Sequence, residues 1–68
     1  MKSVSGKDLC SVLQRNGWEL KRIRGSHHIF AKPNNPVILT VPVHGNKALK
    51  TGTLRRLMRD AALTEDDL

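Results

Sequence analysis

The chain has no tyrosine, one tryptophan, one phenylalanine and one cysteine among its 68 residues. Single-strand nucleic-acid readers stack bases on exposed aromatic rings, and two aromatics do not make such a platform. Trp18 and Phe30 are expected in the core instead, because a domain this small needs their area. Cys10 has no second cysteine to pair with, so packing rather than a cross-link must hold the fold, which fits a reducing compartment. Its place inside an apolar helical pattern reads as a structural thiol rather than a nucleophile. Long apolar runs are missing too. None approaches the roughly 20 residues that cross a bilayer, and the opening MKSVSGKDLC lacks the apolar stretch of a signal peptide. The expected protein is soluble and cytoplasmic, with no membrane contact.

Carboxylates are scarce except at the end, where Glu65, Asp66 and Asp67 crowd together. Residues 1–64 set twelve Lys and Arg against only Asp8, Glu19 and Asp60, an excess of nine. An excess of that size calls for a polyanionic partner, either nucleic acid or an acidic protein surface. The three carboxylates fall singly in three different predicted elements, whereas two-metal nucleases gather theirs around hard cations. A zinc site from Cys10, His27, His28 and His44 is disfavoured, because adjacent strand residues point to opposite faces and no CxxC or HxxxH spacing occurs. Neither a metal nor a small-molecule cofactor is expected.

What is present is periodic. Ser5-Gly6-Lys7-Asp8 has capping-box spacing, and Leu9, Val12 and Leu13 then mark one face of a helix over about 5–16. Asn16-Gly17 stops it, with Gly17 suited to a left-handed C′ position and Trp18 folding back on the last turn. Residues 18–24 read as a strand of imperfect alternation, since Leu20 and Ile23 have opposite parity. Gly25-Ser26 is turn chemistry, a second strand covers 27–32, and Pro33-Asn34-Asn35-Pro36 closes it. A third strand over 37–42 buries Val37, Leu39 and Val41, and Pro42 ends it. A basic loop from His44 to Lys50 leads to a helix over about 52–62, with Thr51 as N-cap and Leu54, Leu57, Met58 and Ala61 inward. Arg55, Arg56 and Arg59 remain outside, and 64–68 is an acidic tail in which Thr64 and Asp67 could cap one turn. The expected fold class is α+β, a single domain in which two helices cover one face of a three-stranded antiparallel sheet and leave the other face open.

Histidine is the chemistry that remains. His27 and His28 follow the Gly-Ser turn and open a strand, which sets one imidazole on each sheet face. Imidazole exchanges protons near neutrality, and neighbouring cations such as Arg24 and Lys32 would stabilise charge on a phosphate. RNA brings its own nucleophile, the ribose 2′-OH, so one general base with cationic support suffices to break it without a metal and would spare DNA.

Several segments together resemble a known family. They are Asn16-Gly17-Trp18, Arg24-Gly25-Ser26-His27-His28-Ile29-Phe30, Val41-Pro42-Val43-His44 with Lys47, Leu49 and Lys50, Gly52-Thr53-Leu54, and Ala61-Ala62-Leu63. In that combination, over about residues 5–67, the chain resembles the HicA toxins. The resemblance implies a double-stranded-RNA-binding-like α-β-β-β-α fold and an mRNA interferase that cleaves messenger and related RNA, neutralised by a HicB-type antitoxin. It implies that His27, directly after Gly-Ser, is the catalytic histidine. Gly25 would permit the tight turn and Ser26 would position the imidazole or a phosphate oxygen. Arg24, His28, Lys32, His44, Lys47 and Lys50 are the candidate RNA contacts. The loop departs from the commonest family form, with Gly45-Asn46 ahead of Lys47 where a Pro-Lys type pair is usual. Two other readings of the same surface are a non-catalytic double-stranded-RNA-binding module and a protein-interaction domain whose basic face meets an acidic partner.

Overall fold

A computed structural model describes residues 3–68. The order is α1 (Gly6–Arg15), β1 (Glu19–Arg24), β2 (His27–Lys32), β3 (Asn35–Pro42), α2 (Thr51–Asp60) and a final 3-10 turn, Glu65–Asp67. The strands form one antiparallel sheet in the order β1-β2-β3. This is the α+β arrangement expected from the sequence, consistent with a double-stranded-RNA-binding-like fold.

Local chemistry explains where α1 starts and stops. Asp8 N–H donates to Ser5 Oγ at 3.0 Å and Ser5 N–H to Asp8 Oδ2 at 3.5 Å, which closes the capping box. Val4 and Leu9, one residue before the cap and four positions into the helix, are both buried, the spacing of a hydrophobic staple. At the other end Gly17 takes φ 90°. Trp18 N–H then reaches Leu13 O at 3.0 Å and Gly17 N–H reaches Gln14 O at 3.2 Å, a Schellman closure that drops Trp18 into the core.

Leu9, Val12 and Leu13 from α1 meet Leu54, Leu57, Met58 and Ala61 around Phe30, Leu39 and Val41. Phe30, Leu9, Leu13, Leu39 and Val41 are the largest side chains with essentially no exposure. Val37 is only half-buried and packs at the margin of this cluster.

One expectation is explained and three need correction. The imperfect alternation of β1 is a bulge between Leu20 and Arg22. The extra residue there returns Leu20, opposite Phe30, and Ile23, opposite His28, to the same face. β1 begins at Glu19 rather than Trp18, because Trp18 is committed to the α1 closure. β3 begins at Asn35, two residues early: only Pro33-Asn34 forms the turn, with Asn34 at φ 62°. The helix α2 is capped by Lys50 rather than Thr51, since Leu54 N–H already bonds Lys50 O at 2.9 Å, and it ends at Asp60. It ends there because Ala62 turns left-handed at φ 57°, letting Leu63 N–H reach Met58 O at 2.8 Å. The tail forms its single 3-10 turn with Thr64 N–H donating to Asp67 Oδ2 at 2.8 Å.

Gly6 sits where a Cβ would collide with the carbonyl of Pro42. A Gly6→Ala variant should therefore lose about 2 kcal/mol, read as a melting temperature lower by on the order of 10 °C. Ala62→Gly should move the other way by about 0.5 kcal/mol, because glycine enters the left-handed region without a Cβ penalty. An unchanged melting temperature in the first variant would show that α1 can shift away from β3 at little cost.

Candidate nucleic-acid interface

The Gly25-Ser26 turn joins Arg24 directly to its ladder partner His27. Gly25 carries φ 59° and Ser26 does not enter positive φ, the pattern of a two-residue hairpin turn with glycine first. Nothing lies within 4 Å of the position a Gly25 Cβ would take, so backbone conformation, not crowding, is what glycine supplies here. The Ser26 carbonyl accepts from Val43 N–H at 2.8 Å. That bond ties the turn to the end of β3, one residue before His44.

Pairing fixes which side each side chain takes, because residues opposite one another in an antiparallel ladder share a face. Phe30, Leu39 and Val41 mark the helix-covered face. The open face therefore holds Arg24, His27 and Pro42 in one row, Arg22, Ile29 and Thr40 in the next, and Glu19, Ala31 and Ile38 in the third. His27, Arg24 and Arg22 are exposed there. Glu19 is held by Lys21 at 2.7 Å, an exposed pair of small energetic weight that still leaves the arginines without a carboxylate rival. Ile38, 59 % exposed, supplies an apolar spot at the far end of the same face.

Beyond Pro42 the surface dips into a depression of about 300 Å³ lined by Pro42, His44, Lys47, Leu49, Lys50 and Thr53. Its loop is held by backbone bonds and by Leu49, which packs against the core: Lys47 N–H bonds His44 O at 3.0 Å, Leu49 N–H bonds Val4 O at 2.8 Å, and Ser5 bridges Ala48. The first turn of α2 borders this depression. It has no side-chain cap bond and no acidic residue, so its positive dipole end adds to the charge of Lys47 and Lys50.

The nine site residues expected from sequence thus separate. His27, Gly25, Ser26 and Arg24 form one cluster, and His44, Lys47 and Lys50 form a second beside it across Pro42. His28 and Lys32 do not join them. Both occupy the helix-covered side of β2, where His28 Nδ1 lies 3.9 Å from Cys10 Sγ on α1 and Lys32 Nζ lies 5.8 Å from the centre of the Trp18 ring. The side chain of Lys32 is half-buried and runs past Gly17. Trp18 Nε1 is the one buried side-chain nitrogen or oxygen without a hydrogen bond among the described residues. Arg22 is the residue sequence reasoning passed over; its parity with Arg24 was the available signal. Among the described residues no three His, Cys, Asp or Glu side chains cluster as metal ligands would, and no helix is long and apolar enough to cross a membrane.

A three-stranded sheet covered by helices on one side, with an exposed imidazole and a run of cations on the other, defines a small basic domain of the double-stranded-RNA-binding-like class. The family model for the HicA toxin of bacterial toxin-antitoxin systems matches residues 6–63, and the chain belongs to that family. It is a toxin component, and an antitoxin is its partner. No curated protein matches the chain.

Burial pushes the Cys10 thiol above its ordinary range, so at neutral pH it stays protonated. Iodoacetamide should label Cys10 in the folded protein at pH 7.5 on the order of tenfold more slowly than in the urea-unfolded chain. Because the folded state favours the protonated thiol, stability should be flat below pH ~8.5 and fall above it, relative to Cys10→Ala. Equal labelling rates would show that α1 opens freely at this position.

Proposed function

We propose that the protein is a metal-independent endoribonuclease, an mRNA interferase, with His27 as general acid/base, and that a HicB-type antitoxin neutralises it. The supporting observation is the placement of His27: exposed on the open sheet face, opposite Arg24 across the ladder, at the end of a turn fixed by Gly25. An imidazole so placed can take the proton of a ribose 2′-OH as its oxygen attacks the adjacent phosphorus. The bond from phosphorus to the 5′-oxygen breaks, that oxygen takes a proton from water, and a 2′,3′-cyclic phosphate remains. Arg24 and Arg22 stand where charge builds on the phosphate oxygens. His44, Lys47 and Lys50 hold the flanking backbone by phosphate contacts, which carry little sequence information and weaken with salt. Outside the acidic tail the carboxylates Asp8, Glu19 and Asp60 stand singly in three separate elements, which supports a mechanism that needs no divalent cation.

His27→Ala should abolish cleavage of an RNA substrate while the circular-dichroism spectrum and melting temperature stay those of the wild type. Activity should persist in excess EDTA and vanish on a substrate with 2′-deoxyribose at the scissile position. Recovery of cleavage only on adding Mg²⁺, or cutting of the deoxy substrate, would refute this mechanism.

The antitoxin is proposed to lay acidic and apolar surface over His27, Arg24 and Lys47, excluding RNA and masking charge together. Its association rate should drop as salt rises, since screening acts within about 8 Å at physiological ionic strength. Arg24→Glu with Lys47→Glu should weaken RNA and antitoxin binding alike, whereas Lys32→Glu, on the other face, should affect both less. Unchanged antitoxin kinetics in the double variant would place the inhibitor elsewhere.

A further inference from the structure

His28 is adjacent to His27 yet has a different environment. It is half-buried on the helix-covered face between Ile23 and Val41, and its Nδ1 lies 3.9 Å from the sulfur of Cys10. That distance falls within the range of a thiol hydrogen bond; with the ring proton on Nε2, the Cys10 S–H donates to Nδ1. Cys10 belongs to α1, whose Leu9 and Leu13 are among the most deeply buried side chains in the molecule. The contact is thus a strut from a firmly seated helix to the second residue of β2.

The other supports of this corner are backbone ones. Val43 N–H holds Ser26 O, and Gly6 abuts the Pro42 carbonyl opposite His27. Together they fix the turn from the β3 side. The His28 strut supports the start of β2 from beneath, through a side chain. Consecutive strand residues point oppositely, so a rocking of His28 toward or away from α1 tips His27 by a matching amount on the open face.

We propose that His28 is a positioning residue, which through its contact with Cys10 sets the direction in which His27 presents its imidazole. The claim rests on the reading of His27 as the catalytic group, and the test separates the two. Cys10→Ala, His28→Ala, His28→Asn and the Cys10→Ala/His28→Ala pair are compared with the wild type by ring NMR signals of His27, by kcat and KM for RNA cleavage, and by melting temperature.

Cys10→Ala and His28→Ala should each shift and broaden the His27 ring signals. Each should lower kcat on the order of tenfold, as expected for a small misalignment, with KM within about twofold of wild type. The pair should fall no further than His28→Ala alone, because both changes remove one contact. His28→Asn keeps an acceptor near the Nδ1 position and should restore most of kcat.

A folded His28→Ala with wild-type ring signals and kcat would overturn the proposal, and so would additive losses in the pair. A rise in KM at unchanged kcat would overturn it as well, since it would make His28 an RNA contact. Should His28→Ala fail to fold, Cys10→Ala decides by the same two readouts. If the wild type cleaves no RNA, the catalytic reading falls, and the His27 ring signals alone decide whether His28 positions it.

Discussion

The backbone of Gly6 meets the carbonyl of Pro42 with no room between them for a side chain, and the functional half of the molecule depends on that approach. It sets the N-terminus of α1 against the end of β3. From the same junction the chain reaches the basic loop through Val4 to Leu49 and Ser5 to Ala48. It reaches the Gly-Ser turn through Val43 to Ser26. A 68-residue chain buries too little surface to hold distant parts rigid by core volume alone. Concentrating backbone contacts where one helix start, one strand end and two loops converge makes a small core sufficient.

Everything else follows from a sheet that is covered once. The helices bring their apolar residues to Phe30, Leu39 and Val41, and alternation then assigns the neighbouring side chains to the far side without further instruction. His27 is presented to solvent for the same reason that His28 is withdrawn from it. The β1 bulge serves this division as well. It keeps Leu20 and Ile23 on the core side while Arg22 and Arg24 stay together on the open side. The two aliphatic residues are nonetheless 39 % and 55 % exposed.

Much of this was legible in the order of residues. The capping box at Ser5, the stop at Gly17 and the inward faces of both helices are local signals, and local chemistry decides them. The opposite facing of His27 and His28 follows from strand geometry alone. The illegible parts depend on pairing. A bulge at Lys21 leaves no mark except a broken alternation, and the early start of β3 at Asn35 is imposed by its partner Lys32 against two flanking prolines. Charge alone groups Lys32 with the RNA contacts, but which face it takes is set by register, and there it lies against Trp18. The role of Lys50 as helix cap is equally hidden, since it provides backbone geometry and no side-chain bond.

The bulge has a consequence for the free protein. With the order β1-β2-β3, both outer strands expose unpaired peptide groups, the usual template for one sheet to extend another. On one side the bulge at Lys21 distorts the ladder and crowds it with Lys21, Arg22 and Arg24; on the other, Pro36 and Pro42 withhold amide protons near either end of β3. Strand-to-strand stacking between copies is obstructed at both borders, so the same irregularities that obscure the strands in the sequence guard the chain against aggregating as cross-linked sheets.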